Sequence, residues 1–138
     1  MPAKDRFHET VKIALINDGW TITDDPLHIG FGGTDLYIDL AAEKMIAAEK
    51  EGRKIAIEVK SFISPSLTSE FHSALGQFIN YRMVLEAEDP DRELYLAITE
   101  DTYNTFFTLP LPQLAMEKQS IKLLVYNVET EAIISWHE

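Results

Sequence analysis

Cysteine is absent from the 138 residues, so neither a disulfide framework nor a thiolate metal site can be built. Positive charge is scarce. Lys and Arg total 12 against 23 Asp and Glu, a formal net charge of −11. Sequence-independent binding to nucleic acid relies on Lys and Arg neutralising phosphates, and this balance argues against that mode when unaided. It leaves room for a local basic patch, a metal-bridged contact or a basic partner protein. No apolar run approaches the ~20 residues that span a bilayer. Met1-Pro2-Ala3-Lys4-Asp5-Arg6 lacks the apolar segment of a signal peptide. Cytoplasmic residence without a membrane partner is the expectation.

Other familiar signals are missing too. Gly30-Phe31-Gly32-Gly33 has neither phosphate-cradle pattern and reads as a turn. His8, His28, His72 and His137 show no HxxxH spacing, which favours surface or helix-face positions over zinc ligands. Ser61, Ser64 and Ser66 form no nucleophile elbow. No internal repeat, low-complexity tract or linker interrupts the chain. Hydrophobic content of 46% and charged content of 25% then fit one globular domain over residues 1–138.

What is present alternates between helical and strand periods. Lys4 to Asp18 predicts a helix, with Phe7, Val11, Ala14 and Leu15 on one stripe, Ile13 and Ile16 on a second, and Gly19 as its stop. Trp20 to Thr23 is a short strand and Asp24-Asp25-Pro26 a turn. Thr34 to Leu40 alternates as a strand. A hairpin is expected next, with Met45 to Lys50 as its first arm and the Lys54–Phe62 run as its second. A long helix follows, capped by Ser66 or Ser69, with Phe71, Ala74, Leu75, Phe78 and Leu85 as its stripe. Glu93 to Thr99 is a buried strand and Glu100 to Phe107 a short helix. A further helix reaches Lys118, and strands at Ile121–Tyr126 and Ala132–Trp136 close the chain. Tyr103, Phe106 and Phe107 are assigned to the core. The order predicts an α/β fold, a mixed sheet flanked by helices.

One strand stands out. Lys54-Ile55-Ala56-Ile57-Glu58-Val59-Lys60-Ser61 reads as buried, yet carries an acid and a base two residues apart. With period-two alternation, Glu58 and Lys60 share a face with Ala56, while Ile55, Ile57 and Val59 take the other. Charged residues are rarely buried unless paired or bound to metal. The pair is therefore either a structural ion pair or a site. If Asp39 lies opposite Glu58, two carboxylates and an ammonium converge, and either a proton or a cation must sit between the acids. Oxygen ligands without Cys or a nearby His favour Mg²⁺ or Mn²⁺ over zinc. Such an ion activates water for phosphodiester hydrolysis, with Lys60 orienting the water or offsetting phosphate charge.

Asp39 followed by Glu58-Val59-Lys60, with this element order, resembles the PD-(D/E)xK nuclease superfamily. Gln77-Phe78-Ile79-Asn80-Tyr81 resembles its QxxxY motif, and residues four apart share a helix face. The resemblance implies a restriction-endonuclease-like fold and catalytic roles for Asp39, Glu58, Lys60 and Gln77, with Tyr81 beside them. It implies a magnesium or manganese ion held by Asp39, Glu58 and Val59, with Glu9 as an additional acidic ligand. Asp39 follows Ile38 rather than proline, and Asp35 remains a rival for the acidic position.

A narrower resemblance spans essentially the whole chain. Gly32 to Leu40, Ala47 to Lys50, Ile57 to Phe62, Ala74 to Phe78 with Tyr81-Arg82, and the tail from Leu123 to Trp136 are similar to the XisH family. XisH proteins are controlling factors for excision of the fdxN element in cyanobacteria, a DNA rearrangement tied to heterocyst differentiation. The resemblance implies action beside a site-specific recombinase and pairing with a XisI-like protein. It leaves two functions open: a metal-dependent DNA endonuclease, or a catalytically inactive accessory protein on the same fold. A homodimer would suit paired DNA sites.

Overall fold

A computed structural model of the chain describes residues 5–44 and 52–138. The elements run α1 (His8–Asn17), β1 (Thr21–Asp24), β2 (Leu27–Phe31), β3 (Thr34–Ile38), β4 (Leu40–Lys44), β5 (Arg53–Val59), α2 (Leu67–Glu88), β6 (Arg92–Thr99), α3 (Glu100–Thr105), α4 (Pro110–Gln119), β7 (Leu123–Asn127) and β8 (Ala132–His137). Six strands form one sheet in the order β1-β4-β5-β6-β7-β8, and β2 and β3 pair separately as a hairpin. The β5–β6 and β6–β7 pairs are parallel and the rest antiparallel, so the sheet is mixed, as the element order implies. No described helix is long and apolar enough to cross a membrane.

The central strands are apolar on both faces because both faces are covered. Ile55, Ile57, Val59, Tyr95, Ala97, Leu124 and Tyr126 join Val11 and Leu15 of α1 in one core. Ala56, Leu94, Leu96, Ile98, Leu123 and Val125 point the other way, to Phe71, Ala74, Phe78 and Leu85 of α2. The Ala56 face is therefore a second core rather than an open surface, and Glu58 sits on its rim. Phe106 and Phe107 complete that core with Phe62 and Phe71, their rings 5.4 to 5.8 Å apart.

Three expectations need correction. Thr34 to Leu40 is not one strand. It breaks at Asp39, after which the chain leaves the β2–β3 hairpin and enters the main sheet as β4. Strand periodicity looks the same on either side of such a break, so alternation alone could not find it. Second, β4 is the first arm of the hairpin with β5, pairing Leu40 with Ile57 through Lys44 with Arg53. The predicted arm at Met45 to Lys50 lies outside the described residues. Third, β2 has no counterpart among the expected strands. Gly30 and Phe31 end it, and Gly32 and Gly33, at φ 54° and 85°, make the turn.

Helix ends follow local chemistry. Gly19, at φ 94°, stops the chain just past α1. Ser66 caps α2, its hydroxyl accepting from the Ser69 N–H at 3.2 Å. Of the two apolar stripes on α1, Val11, Ala14 and Leu15 are buried, whereas Ile13 is 38% and Ile16 51% exposed. Leu15→Ala is thus expected to cost about 2–5 kcal/mol of unfolding free energy in urea. Ile16→Ala, losing little buried area, should stay within roughly 0.5 kcal/mol.

Candidate active site

The strand break places the acid. Because Leu40 pairs with Ile57 across the antiparallel ladder, the preceding residue falls opposite Glu58. The Asp39 N–H reaches Glu58 Oε1 at 3.4 Å, and Asp39 Oδ2 accepts the Val59 N–H at 2.7 Å. The two carboxyls also share a side-chain hydrogen bond. Asp39 thus meets Glu58. Its rival Asp35 is 66% exposed out on the hairpin, bonded to His28 at 2.8 Å.

Electrostatics follow from that proximity. Glu58 is 5% exposed. Its carboxyl is pushed up to about 9, first by burial and then by the Asp39 charge and the shared hydrogen bond, with Lys60 pulling the other way. At neutral pH Glu58 therefore keeps its proton. Lys60 Nζ lies 3.8 Å from Glu58 Oε2. Lys60 follows the end of β5, and its N–H donates to the Ala97 carbonyl of β6 at 3.1 Å. From α2, the Tyr81 phenol lies near enough to be pushed up to about 12, by burial first and then by Glu58 and Asp39. It stays neutral. Gln77, on the same helix, buries its Oε1 without a hydrogen-bond partner.

Glu9 belongs to a group of its own. Its carboxylate lies within 4.8 Å of ligand atoms of His8 and Asp25, the one three-membered cluster of this kind among the described residues. His8, on the first turn of α1, is buried rather than at the surface, its Nε2 2.6 Å from Asp25 Oδ1, while Lys12 bonds Asp25 Oδ2 at 2.8 Å. Lys12 competes for the charge a cation would use. The other ring nitrogen of His8 is buried without a partner. A metal-ligating imidazole ordinarily donates through that second nitrogen. The cluster reads as a clamp of α1 onto the Asp25 turn.

Two acids near the site carried no sequence signal. Asp5 Oδ2 accepts the Ser61 N–H at 3.0 Å. Glu70 Oε1 and Oε2 accept the Phe62 and Ser64 N–H groups, each at 3.0 Å. Phe62 holds φ 53°, a left-handed conformation costing roughly 1–3 kcal/mol for such a residue. An acid in a first helical turn suits the helix dipole anywhere, so Glu70 is not legible as a clamp before the fold is known.

A family model described as XisH protein matches residues 1–134. No curated protein matches the chain. Among solved structures, an XisH family protein from Nostoc punctiforme PCC 73102 is 51% identical, with TM-score 0.89, over 97% of this chain and 100% of that one. An fdxN element excision controlling factor protein from Anabaena variabilis is 52% identical, with TM-score 0.87, over 98% and 100%.

The shared proton sets a pH dependence. Glu58 titrates well above its unfolded value, so the folded state binds the extra proton. That stability is present below about pH 4.5 and is lost as pH rises through about 9. Urea unfolding should show wild-type stability falling across this window, at up to ~1.4 kcal/mol per pH unit. Glu58→Gln should flatten the profile and be the more stable form at the alkaline end.

Proposed function

The chain belongs to the XisH family, and on that premise we propose that it controls site-specific excision of a DNA element through a nuclease-type site on Asp39, Glu58 and Lys60. The observation that carries this is the carboxyl pair itself. A structural Glu–Lys pair needs no second acid, and burying one against Glu58 raises its cost. Sites that do chemistry are where such like-charge pairs are maintained. The parallel β5–β6 pair with α2 as its crossover, and an acid entering beside β5, support a PD-(D/E)xK placement for the fold.

The donor set fits Mg²⁺ or Mn²⁺: hard oxygens, no thiol, and a proton held between acids that a dication would displace. Asp39, Glu58 and the Val59 carbonyl would hold the ion. When bound, it supplies charge neutralisation at a phosphodiester and a water of lowered pKa. Lys60, the cation beside the pair, offsets phosphate charge or fixes the attacking water. Tyr81 offers a neutral phenolic donor. Gln77 offers an unpartnered acceptor for a bound water or a base amino group. Glu9, grouped with His8 and Asp25, remains the proposed additional acidic ligand.

A second reading rests on charge placement. Most described cations are engaged within the chain: Lys12 with Asp25, Lys44 with Asp18, Lys54 and Arg92 with Asp89, and Arg53 and Lys122 with Glu93. Little is left to neutralise DNA phosphates. In this reading the chain is an inactive accessory protein, and a recombinase or XisI-like partner supplies the basic surface.

Supercoiled DNA separates the two. The nuclease reading expects Mg²⁺-dependent nicking by wild type, with Lys60→Ala and Glu58→Ala each slower by about 10²–10³-fold. Absence of metal-dependent nicking, or nicking that survives both substitutions, would sink it. The accessory reading expects pull-down of the recombinase or XisI-like protein, and recovery of neither would count against it.

A further inference from the structure

The segment leaving β5 is held more tightly than a strand-to-helix connection requires. The Lys60 N–H is fixed by Ala97, the Ser61 N–H by Asp5, and the Phe62 and Ser64 N–H groups by the two oxygens of Glu70. Glu70 is itself set by the first turn of α2, where its N–H donates to the Ser66 carbonyl at 3.1 Å. Between these anchors Phe62 takes its left-handed step. Its ring is 6% exposed among the phenylalanines of the α2-side core. Non-glycine residues persist in such conformations only where the surroundings over-determine them, and they gather at functional sites.

We infer that Glu70 is a positioning residue for the acid pair: its carboxylate pins the backbone beyond Lys60 so that the Lys60 ammonium stays against Glu58. This rests on the reading of Asp39, Glu58 and Lys60 as a reacting site. A lysine side chain has four rotatable bonds, and at the end of a strand its root is tied on one side, here by the Lys60 N–H on Ala97. Fixing the next amides removes the root's freedom and leaves only the side chain's. Catalytic groups must be held within a fraction of an ångström of their working geometry. The chemistry of Glu70 suits the task. A carboxylate spans two amides two residues apart with two charged acceptors. Glutamine keeps one acceptor, and aspartate is a methylene too short. A role confined to the helix dipole would affect melting alone and leave these amides and Lys60 unchanged.

The test uses the full chain with Glu70→Ala and Glu70→Gln. Amide hydrogen exchange at Phe62 and Ser64, and acylation of Lys60 by an amine-reactive reagent with Lys118 as internal reference, are read beside Mg²⁺-dependent nicking. In Glu70→Ala the two amides should exchange about tenfold faster, the factor one lost bond to a charged acceptor carries. Lys60 acylation should rise severalfold relative to Lys118. The nicking rate should fall with the Mg²⁺ half-saturation unchanged, because Glu70 touches neither acid. Glu70→Gln should fall between wild type and alanine in every readout, and it carries the test if the alanine variant does not fold. Unchanged acylation in a folded variant overturns the inference. So does increased acylation with an unaltered nicking rate where Lys60→Ala is slow. If wild type does not nick, the nuclease reading fails by itself, while exchange and acylation still decide whether Glu70 holds Lys60.

Discussion

Two carboxyls forced to share a proton are the constraint from which the rest of the site follows. Asp39 and Glu58 come together because β4 enters the sheet one residue after the hairpin ends, in a register that sets Leu40 on Ile57. The Val59 N–H then takes one Asp39 oxygen, leaving the other for its neighbour. Burial is the first reason Glu58 holds its proton at neutral pH, and the Asp39 charge adds to it. Burying two acids against each other costs stability unless a proton or a cation offsets their charge.

The two cores make this tolerable. With α1 on one face of the sheet and α2 on the other, β5 is buried from Ile55 to Val59, and its register is fixed by packing rather than by its charges. One residue of slip would turn Glu58 and Lys60 from the α2 side of the sheet to the α1 side, against Val11 and Leu15. At the strand's end the control passes from packing to hydrogen bonds, through Ala97, Asp5 and Glu70. The sheet edges are blunted: β1 has four residues, and both β1–β4 and β7–β8 shift register partway.

Charge is distributed in the same spirit. Four of the cations hold the end of the sheet opposite the acid pair, where Arg53, Lys122, Glu93, Tyr95 and Glu138 form one network and Lys54, Arg92 and Asp89 another. What remains outward is largely acidic. A net charge of −11 does not favour long-range attraction to DNA phosphates.

Much was legible in the residues alone. The period-two run from Ile55 to Val59 marked the central strand. The stripe from Phe71 to Leu85 marked α2. The misfit of Glu58 and Lys60 in an apolar strand marked the site, because burial and charge conflict wherever they meet. Membership in the XisH family was legible from segments across the chain. What periodicity could not determine was which residue opposes which. That Asp39 rather than Asp35 reaches Glu58 is decided by a strand break that alternation does not register. That His8 is buried on Asp25, with Glu9 grouped there, depends on a turn docking against a helix. That Glu70 and Asp5 hold the chain beyond Lys60 depends on contacts between segments distant in sequence. Local preferences are written in the order of residues, whereas the meeting of two carboxyls is set by register between strands, which only the folded sheet fixes.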